Sequence, residues 1–133
     1  EHNYEGEGAY QGYAGSTPIT DGERLYVFFG KTGVFCFDLE GKQLWQASVG
    51  DGISGWGSGC SPILYGELLI VNASVESQSL VALNKLSGEK VWETKGIDAA
   101  WNTPLVIDTK ERKELIVSIQ NQRVDRIAQR NPA

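Results

Sequence analysis

The sequence contains no methionine, a single histidine and only two cysteines, Cys36 and Cys60, which are not adjacent. His2 lies near the first residue, so neither a Ser-His-Asp triad nor a histidine metal site has a residue at its centre. Two cysteines do not define a disulfide framework, and each is interpreted as a small buried residue. The catalytic and metal sites that depend on these residue types are therefore not predicted.

Positive charge and long apolar runs are also scarce. The chain has 12 Lys and Arg against 17 Asp and Glu, a net charge of -5. Because a nucleic-acid-binding surface needs basic residues to displace counterions from phosphates, no nucleic-acid partner is predicted. No apolar run approaches the roughly 18 residues of a membrane-spanning helix, and the first residues lack a signal-peptide pattern. A soluble protein without a transmembrane segment is expected.

Glycine and aromatic residues, in contrast, are plentiful. The 133 residues include 16 glycines, five tyrosines and four tryptophans, and 41% of the chain is hydrophobic. A chain of this length and composition forms a core of its own. Runs of β-branched and aromatic residues between turn residues favour strands over helices, so the sequence predicts an all-β class.

The chain repeats itself at a spacing typical of β-propeller blades. Three segments align with one another at Pro18, Pro62 and Pro104: "STPITDGERLYVFFG", "SPILYGELLIVNA" and "NTPLVIDTKERKELIVS". Each unit reads as short strands separated by turn residues, the pattern of a four-stranded antiparallel sheet. Such units repeating every roughly 40 to 50 residues predict propeller blades, with a solenoid of strands as the competing interpretation.

The predicted fold is an incomplete β-propeller of about two and a half to three four-stranded antiparallel blades. The units span residues 16–59, 60–101 and 102–133, and residues 1–15 are interpreted as the remnant of a preceding blade or a mobile end. The third unit ends before a tryptophan equivalent to those of the first two. Val124, Ile127 and Ala128 do not alternate as a strand should and predict a short helical turn.

Two similar segments, "CFDLEGKQLW" and "ALNKLSGEKVW", end in tryptophan. The second resembles the tryptophan-docking motif of pyrroloquinoline-quinone-like (PQQ-like) propeller repeats, in the quinoprotein alcohol dehydrogenase-like superfamily. That motif reads Ala, any residue, Asp, two spacers, Thr, Gly, Lys, two spacers, Trp. The first copy is one residue shorter in its turn and has Cys36 where alanine is expected.

The resemblance implies that each tryptophan lies against the glycine-containing turn of the neighbouring blade. A buried ring of that size removes about 150 to 250 Å² from water and dominates local packing. The residues assigned to structural docking are Trp45, Trp92, Gly41, Gly88, Asp38 and Asn84.

Two glycine-rich loops lead into innermost strands, the part of a propeller that lies nearest its channel. They read "GDGISGWGSG", Gly50 to Gly59, and "GIDAAWN", Gly96 to Asn102. Aromatic side chains together with a few polar groups are typical of ligand sites. The alternative is that such glycine-rich loops simply allow two sheets to approach each other. The candidate ligand mouth comprises Asp51, Trp56, Asp98, Trp101 and Asn102.

The resemblance also raises the question of a cofactor. Quinoprotein dehydrogenases of this superfamily hold pyrroloquinoline quinone between a tryptophan and a disulfide of adjacent cysteines, with calcium bound by carboxylate and amide oxygens. Since this chain has no adjacent cysteines, no cofactor and no metal are expected in it. PQQ and calcium are expected only if the chain is a fragment of a quinoprotein oxidoreductase whose cofactor ligands lie elsewhere.

The leading hypothesis is therefore a non-catalytic PQQ-like propeller segment that acts as an interaction or scaffold module. Its partner is expected to be another protein or a second copy of itself, because uncovered blade faces expose apolar surface. The resemblance implies a bacterial cell-envelope protein in a periplasmic or extracellular location.

Overall fold

A computed structural model describes residues 15–54, 57–98 and 100–119 in full, and residues 125–128 as backbone. Within these ranges the chain forms three antiparallel sheets. The first sheet contains β1 (Ile19–Thr20), β2 (Arg24–Phe28), β3 (Val34–Asp38) and β4 (Gln43–Ala47). The second contains β5 (Ile63–Tyr65), β6 (Leu68–Ala73), β7 (Ser79–Asn84) and β8 (Lys90–Lys95). The third contains β9 (Leu105–Asp108), β10 (Lys113–Val117) and β11 (Asp125–Ala128).

Every sheet is a meander in which consecutive strands are neighbours. Short polar turns allow this, and the first turn shows how: the Asp21 carboxylate accepts hydrogen bonds from the backbone N–H groups of Glu23 and Arg24. Two short helical segments interrupt the strands, a 3-10 turn at Gly30–Thr32 and α1 at Ser74–Ser77. The prediction of an all-β chain built from consecutive antiparallel sheets is confirmed.

The prediction of a short helical turn near the end of the chain was wrong. Ile127 and Ala128 belong to β11, which pairs antiparallel with β10 and places Ile127 opposite Leu115. Pairing with an existing strand supplies backbone hydrogen bonds whatever the local periodicity, so tertiary context decided the conformation. Val124 lies outside the described residues.

The sheets pack face to face, with apolar side chains between them. Every residue of β6 is buried, because the second sheet has a neighbour on each face. Leu69 and Val71 join the core shared with the first sheet, whereas Leu68 and Ile70 join the core shared with the third. This division follows from the alternation of side chains along a strand, and it explains why β6 reads as a continuous apolar run.

The outer strand of the first sheet is joined to the second sheet through Trp45 in β4. Its indole Nε1–H donates a hydrogen bond to the carbonyl oxygen of Lys85, at 3.0 Å, in the turn between β7 and β8. The ring lies directly on Gly88 of the same turn, so that a Cβ added there would be 2.6 Å from Cε3 of Trp45. Glycine is therefore required at position 88 both by this contact and by its φ of +77°.

Charged groups reinforce this contact of Trp45 with the turn that contains Lys85 and Gly88, which we call the Trp45 joint. The Lys85 ammonium lies 3.3 Å from the Asp21 carboxylate, and both side chains are largely covered. The Arg24 guanidinium donates to the carbonyl oxygen of Leu86 at 3.2 Å. The turn that carries the glycine is thus held to the first sheet by an indole, an ion pair and a guanidinium together.

A second set of contacts links the sheets at their inner strands. The residue before each of the three repeat prolines is a serine or threonine. The Thr17 backbone N–H donates to the Ser61 hydroxyl at 2.9 Å, and the Ser61 N–H donates to the Thr103 hydroxyl at 3.4 Å. The Ser16 hydroxyl adds a bond to the Cys60 carbonyl at 2.8 Å. The sheets are therefore connected at both their inner and their outer strands.

The turn between β3 and β4 corresponds in the first sheet to the turn that receives Trp45, although it is one residue shorter. Asp38 accepts hydrogen bonds from the N–H groups of Glu40 and Lys42, as a capping side chain does in a tight turn. Gly41 has a φ of +89°, but among the described residues no atom beyond its chain neighbours lies within 4 Å of where its Cβ would be. Trp92 packs against the core between the second and third sheets, and its buried Nε1 has no hydrogen-bond partner among the described residues.

Substituting the two turn glycines separates the indole contact from backbone strain. We expect Gly41→Ala to cost about 1 to 2 kcal/mol, because alanine adopts a positive φ poorly. Gly88→Ala carries the same strain and also a clash with Trp45, so it should cost roughly 1 to 3 kcal/mol more. Urea unfolding of both variants measures the difference, and equal shifts in midpoint would contradict the role assigned to the Trp45 contact.

The joint should also weaken in acid. Hydrogen bonds from the Glu23 and Arg24 backbone, with a contribution from Lys85, lower the pKa of Asp21 to about 2 from 3.8. Because the folded pKa lies below the unfolded one, this stabilisation is complete above about pH 4 and is lost as the pH falls through about 2. Unfolding free energies measured across that range should fall less steeply for Asp21→Asn than for the unaltered chain; parallel curves would exclude the effect.

Candidate functional site

Three connections enclose a cleft at one end of the sheets, which we call the loop end: residues 48–62, 74–78 and 96–104. The β2–β3 connection, residues 29–33, lies at the same end. The three enclosing connections lie together because antiparallel strands return the β4–β5, β6–β7 and β8–β9 connections to the same end. The turns that form the Trp45 joint lie at the opposite end.

Helix α1 is hydrogen-bonded to the β4–β5 connection on one side and to the β8–β9 connection on the other, the two loops that join one sheet to the next. The Gly52 N–H donates to the Glu76 carbonyl at 3.0 Å, and the Ile97 N–H donates to the Gln78 carbonyl at 2.9 Å. Gln78 ends α1 in the left-handed conformation, with a φ of +54°. Backbone hydrogen bonds therefore hold both loops in fixed positions on either side of one helical turn.

A buried polar network anchors the second of these loops. The carbonyl oxygen of Ala100 accepts the Asn72 side-chain amide at 3.0 Å, the Ser74 hydroxyl at 2.6 Å and the Cys60 thiol at 3.4 Å. Asn72 is fully buried, and its amide also donates to the Asn102 carbonyl at 2.9 Å. Because unpaired buried polar groups are costly, this arrangement strongly favours one loop conformation.

Between the loops lies an open cleft of about 240 Å³. Its lining mixes apolar, hydroxyl, amide and carboxylate groups from all three connections: Ile53, Ser54, Ser74, Val75, Gln78, Asp98 and Trp101. An apolar surface with a few polar groups is typical of a binding site.

Trp101 is the largest side chain in the cleft. Its Nε1–H donates to the Gly57 carbonyl at 3.1 Å, which links the indole to the preceding loop. The side chain is nevertheless 39% exposed. The ring is thus held in place while part of its surface remains available to a ligand.

The three connections that enclose the cleft carry acidic but no basic residues. Asp51, Glu76 and Asp98 lie in them, whereas Lys31 lies in the β2–β3 connection at the same end. Asp98 is exposed and makes no ion pair with any described residue. The cleft therefore favours cationic or neutral ligands over anions.

The structure brings together only some of the residues predicted for the ligand mouth. Asp98 and Trp101 line the cleft, whereas Asp51 is exposed and is not among its lining residues. Asn102 bonds to the backbone of Ser118 through both its amide and its carbonyl oxygen, so its side chain fixes the loop. Trp56 lies outside the described residues.

Sequence reasoning missed the cleft residues contributed by the first loop and by α1. Ile53 is 45% exposed, although it is a large aliphatic side chain. An isolated isoleucine in a glycine- and serine-rich loop was the available signal for it. Val75 and Gln78 gave no comparable signal, because they reach the cleft only through the conformation of α1.

The two cysteines are buried and free. Cys36 lies opposite Trp45 in the first sheet, in the position that Ala82 occupies opposite Trp92 in the second. Burial raises the pKa of the Cys60 thiol to about 12, with a smaller contribution from the Glu76 charge. Burial likewise raises the pKa of Cys36. Both therefore remain protonated thiols near neutral pH.

The groups in the described residues do not match those that hold pyrroloquinoline quinone and calcium. Cys36 and Cys60 belong to different blades and cannot form a disulfide of adjacent residues. No group of three or more histidine, cysteine or acidic side chains suited to a metal occurs in the described ranges. The cleft presents a carboxylate and no cation, which opposes a quinone that itself carries carboxylates.

Comparison with known proteins identifies the arrangement. The family model described as outer membrane protein assembly factor BamB matches residues 7–128. The crystal structure of BamB from Moraxella catarrhalis is similar with a TM-score of 0.66 and 17% sequence identity, over 84% of this chain and 36% of that chain. The chain thus spans about a third of the BamB structure, and its fold is a partial β-propeller. No curated protein sequence matches the chain.

Among the described residues, none of the helical segments has the length and apolar character needed to cross a bilayer.

The thiol environments predict low reactivity. Because both cysteines are buried and their pKa values are raised, neither should react with a thiol reagent at about pH 8 until the chain unfolds. Labelling with and without denaturant, followed by mass spectrometry, measures this. Ser87→Cys, at an exposed turn position, is the control that should react in the folded state. Stoichiometric labelling of the unaltered folded chain would contradict the burial described here.

Proposed function

This chain belongs to the BamB-like family of PQQ propeller repeats, and we propose that it is a non-catalytic propeller segment that serves as a protein-interaction or scaffold module. The supporting observation is the exposure of large apolar side chains on the constrained loop end. Ile53 is 45% exposed and Trp101 is 39% exposed, yet hydrogen bonds to α1 and to Gly57 fix the segments that carry them.

Two physical features make such a surface suited to binding another protein. Tryptophan is enriched among the residues that contribute most to protein–protein affinity. A surface whose loops are already ordered also loses less conformational entropy on association. The loop end combines both features.

The family also suggests a location. BamB is described as an outer membrane protein assembly factor, and we extend to this chain only an association with the bacterial cell envelope, on its periplasmic or extracellular side. The proposed partner is another protein or a second copy of the chain.

The alternative, a fragment of a quinoprotein oxidoreductase, requires cofactor ligands outside this chain. The negative charge of the cleft provides no support for it, because pyrroloquinoline quinone is an anion.

Site-specific photocrosslinking tests the interaction role. A photoreactive amino acid at Ile53 should give discrete protein adducts in extracts of the source cells. The matched control is Leu39, which is 63% exposed but lies at the opposite end of the sheets; it should give none. Equal adduct patterns at the two positions, or none at Ile53, would count against the proposal.

A titration with pyrroloquinoline quinone and calcium, followed by a dye-linked alcohol oxidation assay, tests the proposal that the chain is non-catalytic. Neither stoichiometric binding nor turnover is expected. Stoichiometric binding with turnover would support the oxidoreductase alternative instead.

A further inference from the structure

We propose that the cleft at the loop end binds the side chain of an arginine presented by a partner polypeptide. This inference rests on the proposed interaction function and specifies the chemistry that the surface recognises. Three features of the cleft support it: the indole of Trp101, the carboxylate of Asp98, and the aliphatic and amide groups of the remaining lining.

The indole provides a surface for the guanidinium. The Nε1–H of Trp101 is already used in its bond to Gly57, so a ligand meets the π-system of the ring and not its donor. A guanidinium is planar and weakly hydrated, and it stacks on an indole through cation–π attraction. The fixed orientation of the ring means that little further ordering is needed when the ligand binds.

The carboxylate provides the counter-charge. Asp98 lines the cleft, is exposed and has no ion-pair partner among the described residues. An arginine donates two parallel hydrogen bonds to a carboxylate, a geometry that lysine does not offer. None of the residues that line the cleft is a lysine or an arginine, so no basic side chain of the lining competes for Asp98.

The remaining lining suits the rest of the arginine side chain. Ile53 and Val75 offer apolar contact to its methylene groups, and the Gln78 side-chain carbonyl is an acceptor for a further guanidinium N–H. A cleft of about 240 Å³ is smaller than the roughly 300 to 1,000 Å³ of sites for drug-sized molecules. Its size matches a single long side chain better than an extended ligand.

Synthetic peptides test the assignment directly. The probe is a heptapeptide, Gly-Ser-Leu-Arg-Leu-Ser-Gly with blocked ends, titrated into ¹⁵N-labelled protein while the indole N–H resonances are recorded. Saturable shifts of the Trp101 resonance are expected. Replacing arginine with citrulline, which keeps the shape and removes the charge, should weaken binding about tenfold or more, and lysine should give an intermediate affinity. Added salt should also weaken binding.

Protein variants locate the binding site. Asp98→Asn should reduce affinity for the arginine peptide about tenfold or more and should abolish its preference over citrulline. The matched control is Asp51→Asn, which removes the same charge from an exposed loop residue outside the cleft and should leave affinity within about twofold. Thermal unfolding of both variants checks that they are folded.

The possible results separate this inference from the proposed function. Equal binding of the arginine and citrulline peptides, or equal effects of the two aspartate substitutions, would overturn the arginine assignment. If Ile53 crosslinks to a partner while the arginine peptide does not bind, only the arginine assignment fails. If Ile53 gives no adduct and the peptide does not bind, the interaction function fails as well.

Discussion

The contact between the Trp45 indole and the Gly88 turn is the constraint on which the arrangement of the first two blades depends. It requires a glycine with positive φ in a turn of the second sheet, and a large aromatic ring at one position of the outer strand of the first sheet. A small residue lies across from each of the two tryptophans. Cys36 faces Trp45 and Ala82 faces Trp92, and the pairing shifts register immediately after both. A bulky residue at either position would compete with the ring for space.

The two ends of the sheets have different physical roles because different connections lie there. At the turn end, an indole, an ion pair and a guanidinium fix one blade on the next. At the loop end, backbone hydrogen bonds to α1 and the buried network around Ala100 hold the loops without using all of their side chains. Ile53 and Trp101 remain partly exposed there, and our proposal of a protein-binding role is based on them. The residues to which we assign binding, Ile53, Asp98 and Trp101, are therefore different from those of the Trp45 joint.

Much of the fold was predictable because the same pattern of strands and turns occurs in successive units of the sequence. The predicted pattern of short strands separated by turn residues corresponds to the strands of the first and second sheets, among them Val34–Asp38, Leu68–Ala73 and Ser79–Asn84. β11 was not predicted, since its pairing with β10 overrides a weak local pattern. Of the candidate mouth, Asp98 and Trp101 do line the cleft, but α1 and Ile53 were missed. A cleft formed by three separate connections depends on tertiary contacts that no local pattern encodes.

The distance along the chain between the partners of the Trp45 joint has a consequence for biosynthesis. Trp45 and its acceptor Lys85 are 40 residues apart, and Gly88 follows three positions later. A ribosome therefore completes the first sheet well before the turn that covers its outer strand is made. During that interval Tyr26 and Phe28, later fully buried, lack the second sheet as a neighbour. The nascent chain therefore exposes apolar surface during synthesis for a time that is set by the repeat period, and exposed apolar surface favours aggregation.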